Sequence, residues 1–264
     1  MALYLNVGNE SFQESLDSPI YVDKSPLIEI LNKSIKTKNK YFCLSRPRRF
    51  GKSVTAQMIC SYYAKGQDCS PLFDDRKIAS FDDYKKHLNQ YDVIFINMTD
   101  EFNDSGCDVN KMISSITKSV VDELKEAYPQ IDFKSPDILH KTLKEVFSQS
   151  KVPFVIVIDE WDCIMREKKE DPDSLKQYLE WLKAIFKDKP YVALAYMTGI
   201  LPIKKYGSHS ALNMFTEYSM TEPLNLGQYI GFTEDEVKDI CKQHDVAFNQ
   251  MQQWPLLSGQ RCPL

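Results

Sequence analysis

No two of the seven cysteines form a CxxC pair; they are scattered at positions 43, 60, 69, 107, 163, 241 and 262. The four histidines share no ligand spacing either, so a zinc site is not expected. No apolar run approaches the roughly 18 residues that span a membrane. The opening residues, Met1-Ala-Leu-Tyr-Leu-Asn6, lack a basic stretch and a long apolar core, so no secretory signal is expected. There is no internal repeat and no low-complexity segment. An excess of one charge is also missing: 33 Lys and Arg against 37 Asp and Glu leave a net charge of -4. A nucleic-acid site would therefore have to be a local patch. Scattered thiols without a leader make a reducing cytoplasm the expected location.

What is present is an ordinary globular composition. With 43% hydrophobic and 27% charged residues over 264 positions, the chain can bury a sizeable core. Its length suits one large domain, or one domain with an appendage.

The most informative stretch is Ser45-Arg-Pro-Arg-Arg-Phe-Gly-Lys-Ser53. An apolar run, Tyr41 to Leu44, precedes it and a helical pattern, Val54 to Tyr63, follows. Strand, tight basic turn and helix is the context of a phosphate-binding P-loop, and Gly51-Lys52-Ser53 is the last part of its G-x-x-x-x-G-K-[ST] pattern. The first turn of a helix leaves backbone N–H groups unpaired, and the helix dipole adds positive potential there. Gly51 lets the backbone approach an oxygen, Lys52 can reach the β- and γ-phosphates, and the Ser53 hydroxyl can ligate Mg²⁺. The first glycine of the pattern falls at position 46, where this chain has Arg46; Arg48 and Arg49 add two further cations. The plainer reading of the stretch is a basic turn before an amphipathic helix.

A second signal is Pro153-Phe-Val-Ile-Val-Ile-Asp-Glu-Trp-Asp162. Five successive apolar residues, Phe154 to Ile158, read as a strand buried on both faces. Asp159 and Glu160 follow at once, as in a Walker B strand: the Asp would hold the Mg²⁺ shell and the Glu would orient and deprotonate the attacking water. The alternative is a strand that merely ends in acidic loop residues. A later strand, Pro190 to Thr198, begins about one strand-helix-strand unit after Asp159. Thr198 at its end is either a sensor of the γ-phosphate or a hydroxyl that caps the strand.

Other elements follow from periodicity and turn chemistry. Ser25-Pro26 reads as a helix N-cap with proline at N1. Asp23 and Lys24 before it are either a surface helix start or part of a lid near a nucleotide base. Ile35 to Lys40 is a basic linker, Tyr91 to Met98 a strand, Asn103 to Gly106 a loop, and Val109 to Leu124 a helix. Ser135-Pro-Asp137 reads as another helix cap, Tyr206 to Ser210 as a polar loop, and Phe215 to Met220 as a fifth strand. Thr233 and Glu236 form a capping box.

Strands near 40, 92, 154 and 191, with helices between, predict an α/β fold: a mainly parallel sheet sandwiched by helices. One strand lies between the P-loop strand and the acidic strand. That order resembles the additional-strand class of P-loop proteins, which includes the AAA+ ATPases and sets the P-loop strand between the sensor strand and a fifth strand. Right-handed crossovers then bring the turn 46–53, Asp159-Glu160 and Thr198 to the carboxyl ends of the strands.

With these residues in view, the chain resembles the AAA-ATPase-like family of bacterial and archaeal P-loop proteins. Many members carry a PD-(D/E)XK-type nuclease domain after the ATPase domain. The resemblance runs from about Tyr21 to Val237. It rests on Tyr21-Val-Asp-Lys-Ser25, the stretch 45–53, Leu72-Phe73, Ile158-Asp-Glu-Trp-Asp162, Thr198-Gly-Ile200 and Gly231-Phe-Thr-Glu-Asp-Glu-Val237. Arg46 in place of glycine is the family's own pattern. The resemblance implies a nucleotide site over Arg46, Pro47, Arg48, Arg49, Phe50, Gly51, Lys52, Ser53 and Val54. It also implies Mg²⁺ at Ser53 and Asp159, and Glu160, Lys52 and Thr198 in catalytic roles. The expected division is an N-terminal segment 1–39, an ATPase core 40–222 and a short helical appendage 223–264. Where the family continues with an aromatic segment, this chain has Trp254 followed by ten residues, so a C-terminal truncation is expected and no nuclease activity.

The expected function is ATP binding with Mg²⁺-dependent hydrolysis acting as a conformational switch. The alternative is a non-hydrolysing nucleotide-binding module that pairs with nucleic acid or a protein partner, for which Arg48 and Arg49 are the candidate patch. A kinase-like phosphotransferase lacks a visible acceptor site. No membrane partner is expected, and assembly into an oligomer is left open.

Overall fold

The computed structural model describes residues 2–203, 211–220, 224 and 226–248. The expected loop 206–210 and the expected truncation after Trp254 lie outside these residues.

The apolar runs become five strands: β1 (Tyr41–Ser45), β2 (Asp92–Asn97), β3 (Phe154–Asp159), β4 (Val192–Gly199) and β5 (Thr216–Tyr218). They form one sheet in the order β2-β3-β4-β1-β5, and every neighbouring pair is parallel. The strand before the basic turn thus sits between β4 and β5, the order of the additional-strand class. Parallel strands need crossover connections, and helices supply them.

Helices cover both faces. One face takes α1 (Glu10–Leu16), α2 (Pro26–Ser34), α3 (Lys52–Tyr63), α4 (Ser70–Phe73) and α5 (Tyr84–His87). The other takes α6 (Met98–Asp104), α7 (Val109–Ala127), α8 (Leu139–Ser150), α9 (Cys163–Glu167) and α10 (Pro172–Phe186). A last described helix, α11 (Glu234–Gln243), follows β5. Alternate residues along a strand serve opposite faces: Phe42 and Leu44 pack with the first group, and Cys43 with the second. On β3, Val155 and Val157 alternate with Ile156 and Ile158 in the same way. Each of the Val, Leu, Ile and Phe side chains among these, fully buried, stabilises by about 1.5–3 kcal/mol. β4 breaks the rule once. A register shift opposite Phe154/Val155 lets both Ala193 and Leu194 face the first group, as a bulge does.

Three local expectations are corrected. Ser135-Pro-Asp137 does not cap a helix: the Ile138 N–H donates to Ser135 O at 3.1 Å, closing a turn with proline at its second position, and α8 starts at Leu139. Ser25 does sit before Pro26, but its hydroxyl oxygen accepts the Ile78 N–H at 3.1 Å instead of capping α2. The stretch read as a loop from Asn103 is partly the end of α6, which is started by Asn97: its side chain accepts from the Thr99 and Asp100 N–H groups.

Candidate functional site

β1 ends at Ser45 and its pairing with β4 continues one step further, Arg46 N–H to Gly199 O at 3.0 Å. The Arg46 side chain then reaches β5. It is only 2% exposed, and its Nη1 donates to Tyr218 O on β5 at 3.0 Å and to Ser45 O at 3.1 Å. Arg46 therefore ties β1 to β5. Pro47, Arg48 and Arg49 are exposed, with Arg49 in the left-handed region at φ +70° and Gly51 at φ +74°. No side chain caps α3, so its first N–H groups stay open to a ligand. Lys52 is buried, its Nζ donating to Pro47 O at 3.1 Å, while Ser53 and Val54 are exposed in the first turn.

The acidic turn lies beside it. Asp159 ends β3; its Oδ1 accepts the Thr198 hydroxyl from β4 and the Glu160 N–H at 3.0 Å. Glu160 has φ +53°, a conformation that costs a non-glycine residue about 1–2 kcal/mol. Its Oε1 is 3.8 Å from Lys52 Nζ, and its Oε2 accepts Arg166 Nη2 at 2.6 Å. Burial raises the Glu160 carboxyl above its usual value; Lys52 and Arg166 pull it down, while Asp159 and Asp162 push it up. Asp162 is fully buried. It accepts the Ile200 and Leu201 N–H groups at 3.2 and 3.0 Å and lies 3.2 Å from Arg166 Nε.

A cavity of about 800 Å³ opens from the basic turn. Its wall is mostly apolar and comes from both ends of the described chain: Tyr21 and Val22 before α2, Phe50 and Met58 around α3, and Tyr229 and Phe232 before α11. Gly231, at φ +78°, packs against Phe50; a Cβ there would lie 2.8 Å from Phe50 Cδ1. Lys24 joins the two walls, donating to Gln228 O at 2.7 Å and pairing with Glu236 at 2.6 Å. The capping box is formed, with Thr233 N–H to Glu236 Oε2 at 2.7 Å and Glu236 N–H to Thr233 Oγ1 at 3.3 Å.

The structure thus brings Lys52, Asp159, Glu160 and Thr198 to one end of the sheet, while Arg46 borders the cavity with its Nη1 bound to Ser45 O and Tyr218 O. Sequence reasoning assigned no role to Asp162, Arg166 or the wall from Gly227 to Val237, though it placed Phe50, Gly51 and Val54, which also line the cavity, in the nucleotide site and weighed Lys24 as part of a lid. The i,i+4 spacing of Asp162 and Arg166 was the available signal for that pair. Mg²⁺ takes oxygen donors. The exposed Ser53 hydroxyl and the Asp159 carboxylate are such donors, and the bonds Asp159 accepts from Thr198 and Glu160 both fall on Oδ1. The donor set fits the ion.

Among the described residues, no helix is long and apolar enough to cross a membrane. No curated protein matches the chain. The family model described as AAA-ATPase-like, "Predicted AAA-ATPase", matches residues 6–208. That span holds the basic turn, the acidic turn and Thr198, while the wall from Gly227 to Val237 lies beyond it. The match covers most of the chain, and the sheet order agrees with it: this chain belongs to the AAA-ATPase-like family, which suggests nucleotide binding.

Proposed function

We propose that the chain binds ATP and hydrolyses it with Mg²⁺, using the cycle as a conformational switch. The observation that carries this reading is the approach of Lys52 Nζ to Glu160 Oε1 at 3.8 Å. It sets a cation suited to phosphate oxygens against a carboxylate suited to a water proton.

The residues divide the work. Gly51 and the uncapped N–H groups of α3 cradle phosphate oxygens, and Lys52 turns from Pro47 O and Glu160 to the β- and γ-phosphates. Ser53 and Asp159 hold Mg²⁺, which when bound neutralises the charge on the transferring group. Glu160 orients and deprotonates the water. Thr198, bonded to Asp159, reports the state of the γ-phosphate to the end of β4. The nucleobase enters the apolar cavity beside Phe50 and Tyr229.

A second reading, nucleotide binding without turnover, is favoured by one observation: two cations already hold the Glu160 carboxylate. Exposed Arg48 and Arg49 support a nucleic-acid partner in that case, which a salt-dependent titration with DNA tests. The readings part on two measurements. Calorimetry with MgATP should give binding in the wild type that Lys52→Ala loses; no binding in either folded protein overturns both readings. Turnover in the wild type that Glu160→Gln lacks supports hydrolysis, and equal, negligible turnover in the two supports binding alone.

A further inference from the structure

The structure places a second cation on the proposed base. Glu160 Oε2 accepts Arg166 Nη2 at 2.6 Å, while Oε1 faces Lys52 Nζ at 3.8 Å. The two contacts differ in kind. The Arg166 bond is short and charge-assisted. The Lys52 contact is long, and the same Nζ also donates to Pro47 O at 3.1 Å.

Arg166 is itself anchored. Its Nε lies 3.2 Å from Asp162 Oδ2, and Asp162 is fully buried, fixed by the N–H groups of Ile200 and Leu201 after β4. Gly199 lets that turn pack closely, because a Cβ there would lie 2.6 Å from Asp162 Oδ1 and 2.7 Å from Trp161 Nε1. The Nη2 bond to Glu160 has hydrogen-bond geometry, whereas the Nε contact with Asp162 is an ion pair without it. Asp162 thus holds the guanidinium by charge while the planar group aims Nη2 at Glu160, and an ammonium, a point charge on a flexible stem, would not keep that aim.

We propose that Arg166 is a positioning residue for Glu160: it keeps Oε2 in place so that Oε1 is delivered to the attacking water when Lys52 turns to the phosphates. The role rests on the hydrolysis reading above. Incoming phosphates carry several negative charges and draw off the weaker of the two contacts, that of Lys52. Arg166 remains, and through Asp162 it ties the direction of the base to the backbone that follows Thr198. The end of β4 and the base then move as one unit.

The test is steady-state turnover and calorimetric MgATP binding for wild type, Glu160→Gln, Arg166→Lys and Arg166→Gln. The expected result is a loss of about 10- to 100-fold in kcat for both Arg166 variants, the cost of a misdirected group, with KM and ATP affinity unchanged. Arg166→Lys retains the charge without the planar group, so it does not rescue the rate. It also keeps the test decisive if Arg166→Gln fails to fold by circular dichroism. Wild-type turnover with full rates in the folded Arg166 variants overturns this role alone. So does a gain in turnover, or a loss of ATP affinity equal to the loss in rate. A wild type that binds MgATP without turnover overturns the hydrolysis reading and this role together.

Discussion

Lys24 Nζ, in the wall of the apolar cavity, lies 2.6 Å from Glu236 Oε2, joining two residues 212 positions apart. Burial opposes both charges. It pulls the Lys24 ammonium below its ordinary value despite the partner. For Glu236, burial is outweighed by Lys24 and the Thr233 bonds, so its carboxyl stays below the ordinary value. Glu236→Gln is expected to loosen α11 by about 1–3 kcal/mol, the cost of removing a hydrogen bond to a charged group. Hydrogen exchange of the α11 amides should speed up accordingly. A carboxylate with a lowered pKa in the folded state contributes stability above its unfolded value, near 4.3, and loses it as pH falls through the folded value. The difference in exchange between wild type and Glu236→Gln should therefore vanish in acid.

Gly199 is held by its neighbours rather than by its backbone. Its φ is not in the left-handed region, yet a Cβ would meet Asp162 Oδ1 at 2.6 Å and Trp161 Nε1 at 2.7 Å. Gly199→Ala is expected to cost about 1–3 kcal/mol as overpacking, seen as a lower midpoint in urea. Because Asp162, the partner of Arg166, is among the groups that must shift, turnover should fall in the same variant at temperatures where it remains folded.

Restoring glycine at position 46 should harm the protein. Arg46→Gly would complete the usual P-loop pattern, but it removes the donor shared by Ser45 O and Tyr218 O and empties a buried volume between β1 and β5. The expected loss is about 1–3 kcal/mol for the orphaned acceptors, with a further packing loss. A denaturation curve unchanged from wild type would show that the guanidinium carries no structural role.

Gly231 governs the cavity through Phe50. At φ +78° a side chain costs about 1–2 kcal/mol, and a Cβ 2.8 Å from Phe50 Cδ1 would displace that ring, which belongs to the basic turn. Gly231→Ala should weaken MgATP binding in calorimetry more than it lowers the melting temperature of the core.

The strands and the two loops at their ends were legible because their signals are local: Phe154 to Ile158 is continuously apolar, and Gly51-Lys52-Ser53 and Asp159-Glu160 directly follow strands. The Thr233–Glu236 capping box was legible for the same reason. What was not legible depends on residues far apart in sequence. The bond from Arg46 to Tyr218 O needs β5, 172 residues further along the chain, so nothing in the sequence pattern announces it. The cavity wall needs Tyr21 and Phe232 at once, and only the folded chain brings them together. Ser25 was read correctly by position, but its hydroxyl was claimed by Ile78, a partner 53 residues away.

The strand order also sets a clock on synthesis. Tyr41 pairs with Ala195, 154 residues later, and β5 comes later still, so β1 emerges from the ribosome long before either neighbour exists. At about 5–20 residues per second, β1 waits roughly 8–30 s, an apolar strand with two open edges. β2 and β3 can pair in the meantime. A nascent chain of this protein is thus expected to need a chaperone most while its first strand, already made, has nowhere to go.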